Sequence, residues 1–508
     1  MTTDIGRAAA IALVGVQGRL IEVEAHLTSQ LPGFHIIGLP DAALGEARER
    51  VRSASAVADC PLPARRITVN LTPASIPKRG SGFDLAIAMA ILGAEGIAPQ
   101  VSRDVAYIGE LGLDGRVRPV PGVIPMVIAA RDAGVTRVVV PVGNLEEALV
   151  VPGIDVLGTA SLRASAITAG ALLPPVDVEP VLVPAIADTA PRAHDLADVI
   201  GNAVGVRAVI AAAAGGHHMF LLGPPGAGKT MLAERLPGLL PDLDPDAALE
   251  VASVRSVSGH GNQSWSVRPP WEAPHHSSSA MALIGGGSGL LRPGAVSRAT
   301  RGVLFLDEAT EFPRAVLDAL RQPLESGRIT VHRSVGSAEF PARCQVVLAA
   351  NPCPCGNAGA RGGPLCTCSP SVVRKYLGRI SGPLLDRIDI RVAVPRVTTG
   401  TIRANEGTAP TTAVAAEQVA AARQRMAERL RGTGWRCNAE VTGPWLRSDG
   451  RAEPGATSAL DRALDFGSLT MRGWDRVMRL AWTMADLGGV RRPGAEEVRR
   501  ALALRSAL

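Results

Sequence analysis

The stretch Met219-Phe220-Leu221-Leu222 runs into Gly223-Pro224-Pro225-Gly226-Ala227-Gly228-Lys229-Thr230, with the spacing G-x-x-x-x-G-K-T, and then into the helix-like Met231-Leu232-Ala233-Glu234-Arg235-Leu236. A strand, a glycine-rich loop and a helix start in that order make a phosphate cradle. The glycines let backbone N–H groups converge, the Lys229 ammonium reaches β- and γ-phosphates, the Thr230 hydroxyl can ligate Mg²⁺, and the helix N-terminus adds its dipole. Lys229 is one of only three lysines in a chain that otherwise uses arginine. A second apolar stretch, Gly302-Val303-Leu304-Phe305-Leu306, ends in Asp307-Glu308. Asp307 is expected in the Mg²⁺ shell and Glu308 is expected to orient or deprotonate an attacking water, which makes the site hydrolytic. A third, Gln345-Val346-Val347-Leu348-Ala349-Ala350, ends in Asn351, whose amide can sense a water or the γ-phosphate. ATP and Mg²⁺ are the cofactors this chemistry implies.

Four cysteines are crowded into a second constellation. Cys353-Pro354-Cys355 and Cys366-Thr367-Cys368 enclose a glycine-rich stretch, and thiolates presented by two tight turns suit a tetrahedral, structural Zn²⁺. Four reduced, unliganded cysteines are the alternative that C-x-C spacing leaves open. Cys60, Cys344 and Cys437 stand alone and read as core residues.

The elements that must hold these groups need room. A chain of 508 residues with 46% apolar side chains has material for two to four packed domains. Aromatic residues are only 3%, so the cores must be built from Ala, Val, Leu and Ile. A net charge of +6 permits a polyanionic partner without requiring one, because 53 basic residues face 47 acidic ones. Ala8 to Val16 reads as a buried strand, not a secretory segment, and His217-His218 interrupts the longest apolar run, so a cytoplasmic protein without a membrane span is expected. Cysteines grouped for a metal clip fit a reducing compartment.

Taken in order, residues 1–172 alternate short apolar runs (Ile11 to Val14, Ile67 to Val69, Val138 to Val140) with helical patterns (Asp84 to Leu92, Ile124 to Ala130), an α+β domain. A proline-rich linker follows over 173–194. An α/β core spans 195–396, with the cysteine insertion at 353–368, and helices with apolar faces follow over 397–508 (Val414 to Leu430, Ser458 to Leu464, Arg472 to Leu487, Ala495 to Leu504). Within the core, about 70 residues separate the P-loop helix from Asp307, which reads as a glycine-hinged loop insertion through Gly285-Gly286-Gly287-Ser288-Gly289. Leu317 to Leu324 reads as one helix, and Arg328 to Phe340 as a hairpin with Arg333 near its tip.

Two resemblances cover this chain. Pro77-Lys78-Arg79-Gly80-Ser81-Gly82-Phe83-Asp84, Ile108 to Val117 and the segment to Pro141 resemble the proteolytic domain of Lon-type proteases, which use a Ser–Lys dyad. The nucleophile's place falls on Gly82 and the lysine's on Ile124, so a non-proteolytic domain is expected, with Ser81 one position away. Essentially the whole chain is similar to the magnesium chelatase-like AAA+ ATPases of the ComM/YifB family, on Ala214-Gly215-Gly216-His217, Pro274-His275-His276-Ser277, Gly302 to Glu308 with Glu311-Phe312, Asn351-Pro352-Cys353-Pro354-Cys355-Gly356, Ser381 to Arg387 and Ala485-Asp486-Leu487. Ala295, Thr300 and Asn202 depart from that pattern at positions where the family usually has Glu, His and Gln.

The resemblance implies a hexameric ring with inserted hairpins pointing into its pore, a C-terminal helical lid, and DNA, single-stranded or branched, as partner for helicase or branch-migration activity in transformation and recombination. It implies that Arg387 is an arginine finger for a neighbour's γ-phosphate, Arg472 the second sensor arginine, and Arg333 a pore contact to DNA. Locally, an ion pair of Arg387 with Asp386 or Asp389 is the other possibility. A chelatase-type machine that remodels a partner protein and an ATP-dependent Lon-like protease are the competing functions.

Overall fold

The computed structural model describes the chain apart from residues 1–4, 39–45, 79, 184–193, 260–264, 288–290, 334–335, 359–364, 406–408 and 506–508; the side chains of residues 332, 333, 336, 404 and 405 are also outside it. Two sheets organise it. The core sheet has five parallel strands in the order Trp271–Glu272, Val303–Leu306, Gln345–Ala350, Met219–Leu222, Ile390–Ala393. Their apolar runs are what a parallel sheet covered on both faces requires. Alternation divides the residues between two layers. Met219, Leu221, Val347, Ala349, Ile390 and Val392 face one core, with the helices Ala203–Gly215, Thr412–Arg429 and Met471–Gly488, while Phe220, Leu304, Leu306, Val346 and Leu348 face another with Phe312, Leu317 and Leu384. The C-terminal helices therefore share one continuous core with the P-loop strand.

The N-terminal sheet has seven strands and is mixed, in the order Gly33–Ile37, Arg66–Thr72, Gln17–Thr28, Ile5–Val14, Val105–Tyr107, Arg137–Pro141, Asp155–Thr159. The helix Asp84–Glu95 is buried along almost its whole length beneath it. A second helix, Val123–Asp132, faces the domain of the core sheet. The Gly122 N–H donates to the Ser256 carbonyl at 3.0 Å, the Ile124 N–H donates to Ser256 Oγ at 3.3 Å, and Leu249 and Ala252 pack from the other side. Ser256 lies on the helix Pro245–Val257.

That helix corrects the expectation of a loop insertion after the P-loop helix. Asp244 caps it by accepting from Ala247 N at 2.8 Å, and Pro245 occupies its first position. The expected single helix over 317–324 is also broken in two, Arg314–Asp318 and Pro323–Ser326, because Pro323 has no N–H to continue the first. The hairpin forms as Arg328–Arg333 against Gly336–Pro341, with Arg333 paired to Gly336 at its tip. Its base is not free: Ala338 and Phe340 pack with Val257 against Leu13, Val14 and Val16 of the N-terminal sheet. The described part of the linker, 173–183, has no helix or strand. Among the described residues no helix is long and apolar enough to cross a membrane.

Candidate nucleotide site and cysteine cluster

Three strand ends deliver the chemistry to one edge of the core sheet. Gly223 follows Met219–Leu222, Asp307 and Glu308 follow Val303–Leu306, and Asn351 follows Gln345–Ala350. The loop turns sharply at Gly228, whose φ of +88° suits a residue without Cβ, and Lys229 begins the next helix. Lys229 is buried, with its ammonium donating to the carbonyls of Gly223 (2.7 Å) and Pro224 (3.0 Å) and to Asn351 Oδ1 (3.0 Å). Burial pulls its pKa below the usual lysine value, against the opposing pull of Asp307 and Glu308. A cation held on main-chain carbonyls at this position is suited to exchange them for phosphate oxygens.

Thr230 Oγ1 donates to Asp307 Oδ2 at 2.8 Å. A hydroxyl and a carboxylate brought together beside a phosphate cradle fit the two protein ligands that Mg²⁺ takes while keeping waters and phosphate oxygens for the remainder of its octahedron. Glu308 sits in the left-handed region at φ +48°, a conformation that costs about 1–3 kcal/mol for a residue with a side chain. Its carboxylate meets His276 Nδ1 at 3.2 Å, and the His276 ring lies tilted by 35° against His275 with centroids 4.0 Å apart. In the sequence Pro274-His275-His276-Ser277 stands only as part of the family resemblance; the pairing of His276 with Glu308 is a long-range contact that no local pattern announces.

Arg387 and Arg472 are not gathered to this edge. Arg387 precedes Ile390–Ala393, at the opposite end of the strands from Gly223, which continues from the pairing of Leu222 with Ala393. Four residues of strand alone separate the two edges by roughly 13 Å. Arg387 lines a cleft of about 1160 Å³ between the sheet's far edge and the C-terminal helices, together with Arg472, Asp386, Arg476 and Arg479, and no residue of 223–230 contributes to it. The Arg387 guanidinium donates to the Pro383 carbonyl at 2.8 Å and pairs with Glu325, not with Asp386 or Asp389 as sequence proximity had suggested. Arg472 lies 3.7 Å from Asp386. Asp389 belongs to the buried pair it forms with Arg476 and with His217 Nδ1 (2.9 Å); burial alone would raise its pKa, but these partners hold it far below the carboxylate range.

The four clustered cysteines converge, with all their sulfurs within 4.8 Å of one another. Separations of 3.3, 3.7 and 3.6 Å among Cys353, Cys355 and Cys366 compare with roughly 3.8 Å between sulfurs placed tetrahedrally at 2.3 Å from a zinc ion. The donor set fits Zn²⁺. The cluster leans on the nucleotide site, since Cys353 follows Asn351 by two residues and a Cβ on Gly356 would come 2.4 Å from Pro225 Cδ. Cys60 and Cys344 are buried core thiols and Cys437 is partly buried; burial pushes Cys344 and Cys437 up to about 12. Arg333 is placed by its backbone alone, at the end of its strand.

In the N-terminal sheet domain the positions aligned with a protease dyad do no such chemistry. Ile124 is buried and engaged with Ser256, and the Gly82 carbonyl accepts from Gly109 N. Ser81 Oγ donates to Glu110, while the buried Lys78 ammonium donates to the Pro73 carbonyl.

Comparison with known proteins agrees with this geometry. Three family models match consecutive stretches: "Subunit ChlI of Mg-chelatase" over 23–144, "Magnesium chelatase, subunit ChlI" over 195–402, and "Magnesium chelatase, subunit ChlI C-terminal" over 409–505. An uncharacterized protein of Mycobacterium tuberculosis is 49% identical over 99% of this chain and 98% of its own. The competence protein ComM of Haemophilus influenzae is 40% identical over 94% of this chain and 93% of its own, and YifB of Escherichia coli 38% over 94% and 92%. A partial likeness of 28% over 164 residues connects the chain with the Lon protease of Mycolicibacterium smegmatis, covering 31% of this chain and 21% of that protein.

Proposed function

The chain belongs to the magnesium chelatase-like AAA+ ATPases of the ComM/YifB family, and from that premise we propose that it is an ATP-hydrolysing hexameric motor that moves along DNA, unwinding it or migrating branch points. The observation that carries the ring is the separation of Lys229 from Arg387: the phosphate cradle lies at one end of the parallel strands and the finger at the other, so a complete site needs a second copy. Arg472 shares the Arg387 cleft and completes the same trans surface. We place the functional units at 1–172, 195–396 and 397–508, joined by 173–194.

Bound MgATP supplies the scissile phosphoanhydride and the divalent charge. The P-loop residues Gly223, Pro224, Pro225, Gly226, Ala227 and Gly228 wrap the phosphates while Lys229 neutralises them, and Thr230 and Asp307 hold the ion. Glu308 takes a proton from the attacking water, which Asn351 helps to orient. Arg387 and Arg472 of a neighbouring subunit offset charge developing at the γ-phosphate. Cys353, Cys355, Cys366 and Cys368 hold a structural zinc that stiffens the loop after Asn351. The DNA part is supported by the family relationship, by the competence protein among the relatives and by the hairpin ending in Arg333.

ATPase rates with single-stranded, duplex and branched DNA test the reading, with strand separation and branch migration followed under the same conditions. Branched or single-stranded DNA is expected to stimulate turnover, and Arg333→Ala to weaken binding about equally across sequences while lowering its salt dependence. Turnover indifferent to every DNA and stimulated by a partner protein would replace the motor with a chelatase-type remodeller.

A further inference from the structure

The loop that carries Arg387 is held by guanidinium groups that come from elsewhere. Arg391 Nη2 donates to the Leu385 carbonyl at 2.7 Å, Arg476 Nη1 to the Arg387 carbonyl at 3.0 Å, and Arg505 Nη1 to the Ile388 carbonyl at 2.9 Å. Arg391 belongs to the strand that follows the loop. The other two belong to the C-terminal helices Met471–Gly488 and Ala495–Arg505. Arg505 is 9% exposed, and its second nitrogen stands 3.9 Å from Asp386.

Arg476 is itself locked. It pairs with Asp389, Asp389 accepts from His217 Nδ1, and His217 Nε2 meets Thr483 Oγ1 at 2.7 Å. His217 stands between the helix Ala203–Gly215 and the P-loop strand Met219–Leu222, while Thr483 is on the same helix as Arg476. The finger loop, the root of the P-loop strand and the C-terminal helices are thus joined by one buried polar chain, and charge-assisted bonds of this kind fix direction as well as distance.

We propose that Arg476 and Arg505 are positioning residues for Arg387: they tie the finger offered to a neighbouring subunit to the seating of the C-terminal helices on the same subunit's P-loop strand. This rests on the reading that Arg387 acts in trans. A shift of those helices relative to the sheet moves two of the three groups that hold the loop, so the state of one site reaches the next through Arg476 and Arg505 with no change in the finger's own sequence.

The test uses the full-length chain. Arg505→Ala and Arg476→Ala are expected to lower kcat roughly tenfold to a hundredfold, the scale of misplacing a reacting group by about an ångström, with nucleotide Kd changed less than about threefold. Each variant mixed with Glu308→Gln subunits should regain turnover, because the Glu308→Gln copy lends an intact finger to a site whose own water-activating carboxylate is present. Arg505→Lys, which keeps one donor for Ile388, should retain part of the rate. If Arg505→Ala fails to fold, Arg505→Lys and Arg476→Lys are read in the same mixtures. An unchanged kcat in both folded variants overturns the proposal, as does a loss that mixing does not relieve while mixing does relieve Arg387→Ala. Failure of Arg387→Ala itself to be rescued overturns the trans reading beneath it.

Discussion

Lys229 Nζ donates to Asn351 Oδ1 at 3.0 Å, so the P-loop cation and the polar end of the neighbouring strand meet directly. Two strands of the sheet, Met219–Leu222 and Gln345–Ala350, run side by side in register, and that pairing fixes the distance.

Lys229→Ala should abolish tight nucleotide binding, because it removes the side-chain cation that sits on the Gly223 and Pro224 carbonyls, while Glu308→Gln should keep binding and lose turnover. Fluorescent-nucleotide titration beside steady-state hydrolysis separates the two. Equal affinity in the wild type and Lys229→Ala would refute the site.

Arg387→Ala should leave nucleotide affinity nearly intact and cut hydrolysis about 10³-fold, as expected of an arginine that acts on the transition state. Arg387 pairs with Glu325, so a finger acting in trans would have to exchange that carboxylate for phosphate. Rescue of turnover in mixtures with Glu308→Gln is the outcome that a trans finger demands; a rate equal to the sum of the two separate preparations would count against it.

Protein purified without chelators should carry about one zinc per chain, lost on replacing Cys353, Cys355, Cys366 or Cys368 with serine and weakened as acid protonates the thiolates. Since Gly356, next to Cys355, lies close against Pro225, metal removal should also reduce nucleotide affinity. Elemental analysis without zinc would dismiss the site.

Unfolded protein substrates should survive incubation with the chain and ATP, because Ser81 donates to Glu110 and Lys78 is committed to the Pro73 carbonyl. Cleavage that disappears in Ser81→Ala would restore the protease alternative.

Glu147 sits near the contact with the core, where burial outweighs the hydrogen bonds from Asn144 and Ser256 and pushes its pKa up to about 6. A raised carboxylate favours the folded state most below the unfolded value of about 4.3 and loses that contribution as pH rises through 6, a swing of roughly 2 kcal/mol. This group's contribution should therefore make the melting temperature lower at pH 8 than at pH 5. Glu147→Gln should flatten that part of the profile, and an identical profile in variant and wild type would remove Glu147 as its source.

Groups whose chemistry depends on close spacing can be read directly from the order of residues. The loop from Gly223 to Thr230, the Asp307-Glu308 pair and the two C-x-C turns are legible because phosphate cradling, ion binding and thiolate ligation need residues a few positions apart, and the hairpin and the C-terminal helices are legible from periodicity. Helix Pro245–Val257 is preceded by Asp244 and Pro245, a cap signal that the reading of this stretch as a loop did not use. Tertiary structure alone decided the rest. Strand direction places Arg387 at the edge away from Lys229, packing of the C-terminal helices brings Arg472, Arg476 and Arg505 around its loop, and the course of the chain between them sets His276 on Glu308 and Glu325 on Arg387. Such partners lie tens to more than a hundred residues apart, and only burial of the shared core selects which of many arginines and acids meet.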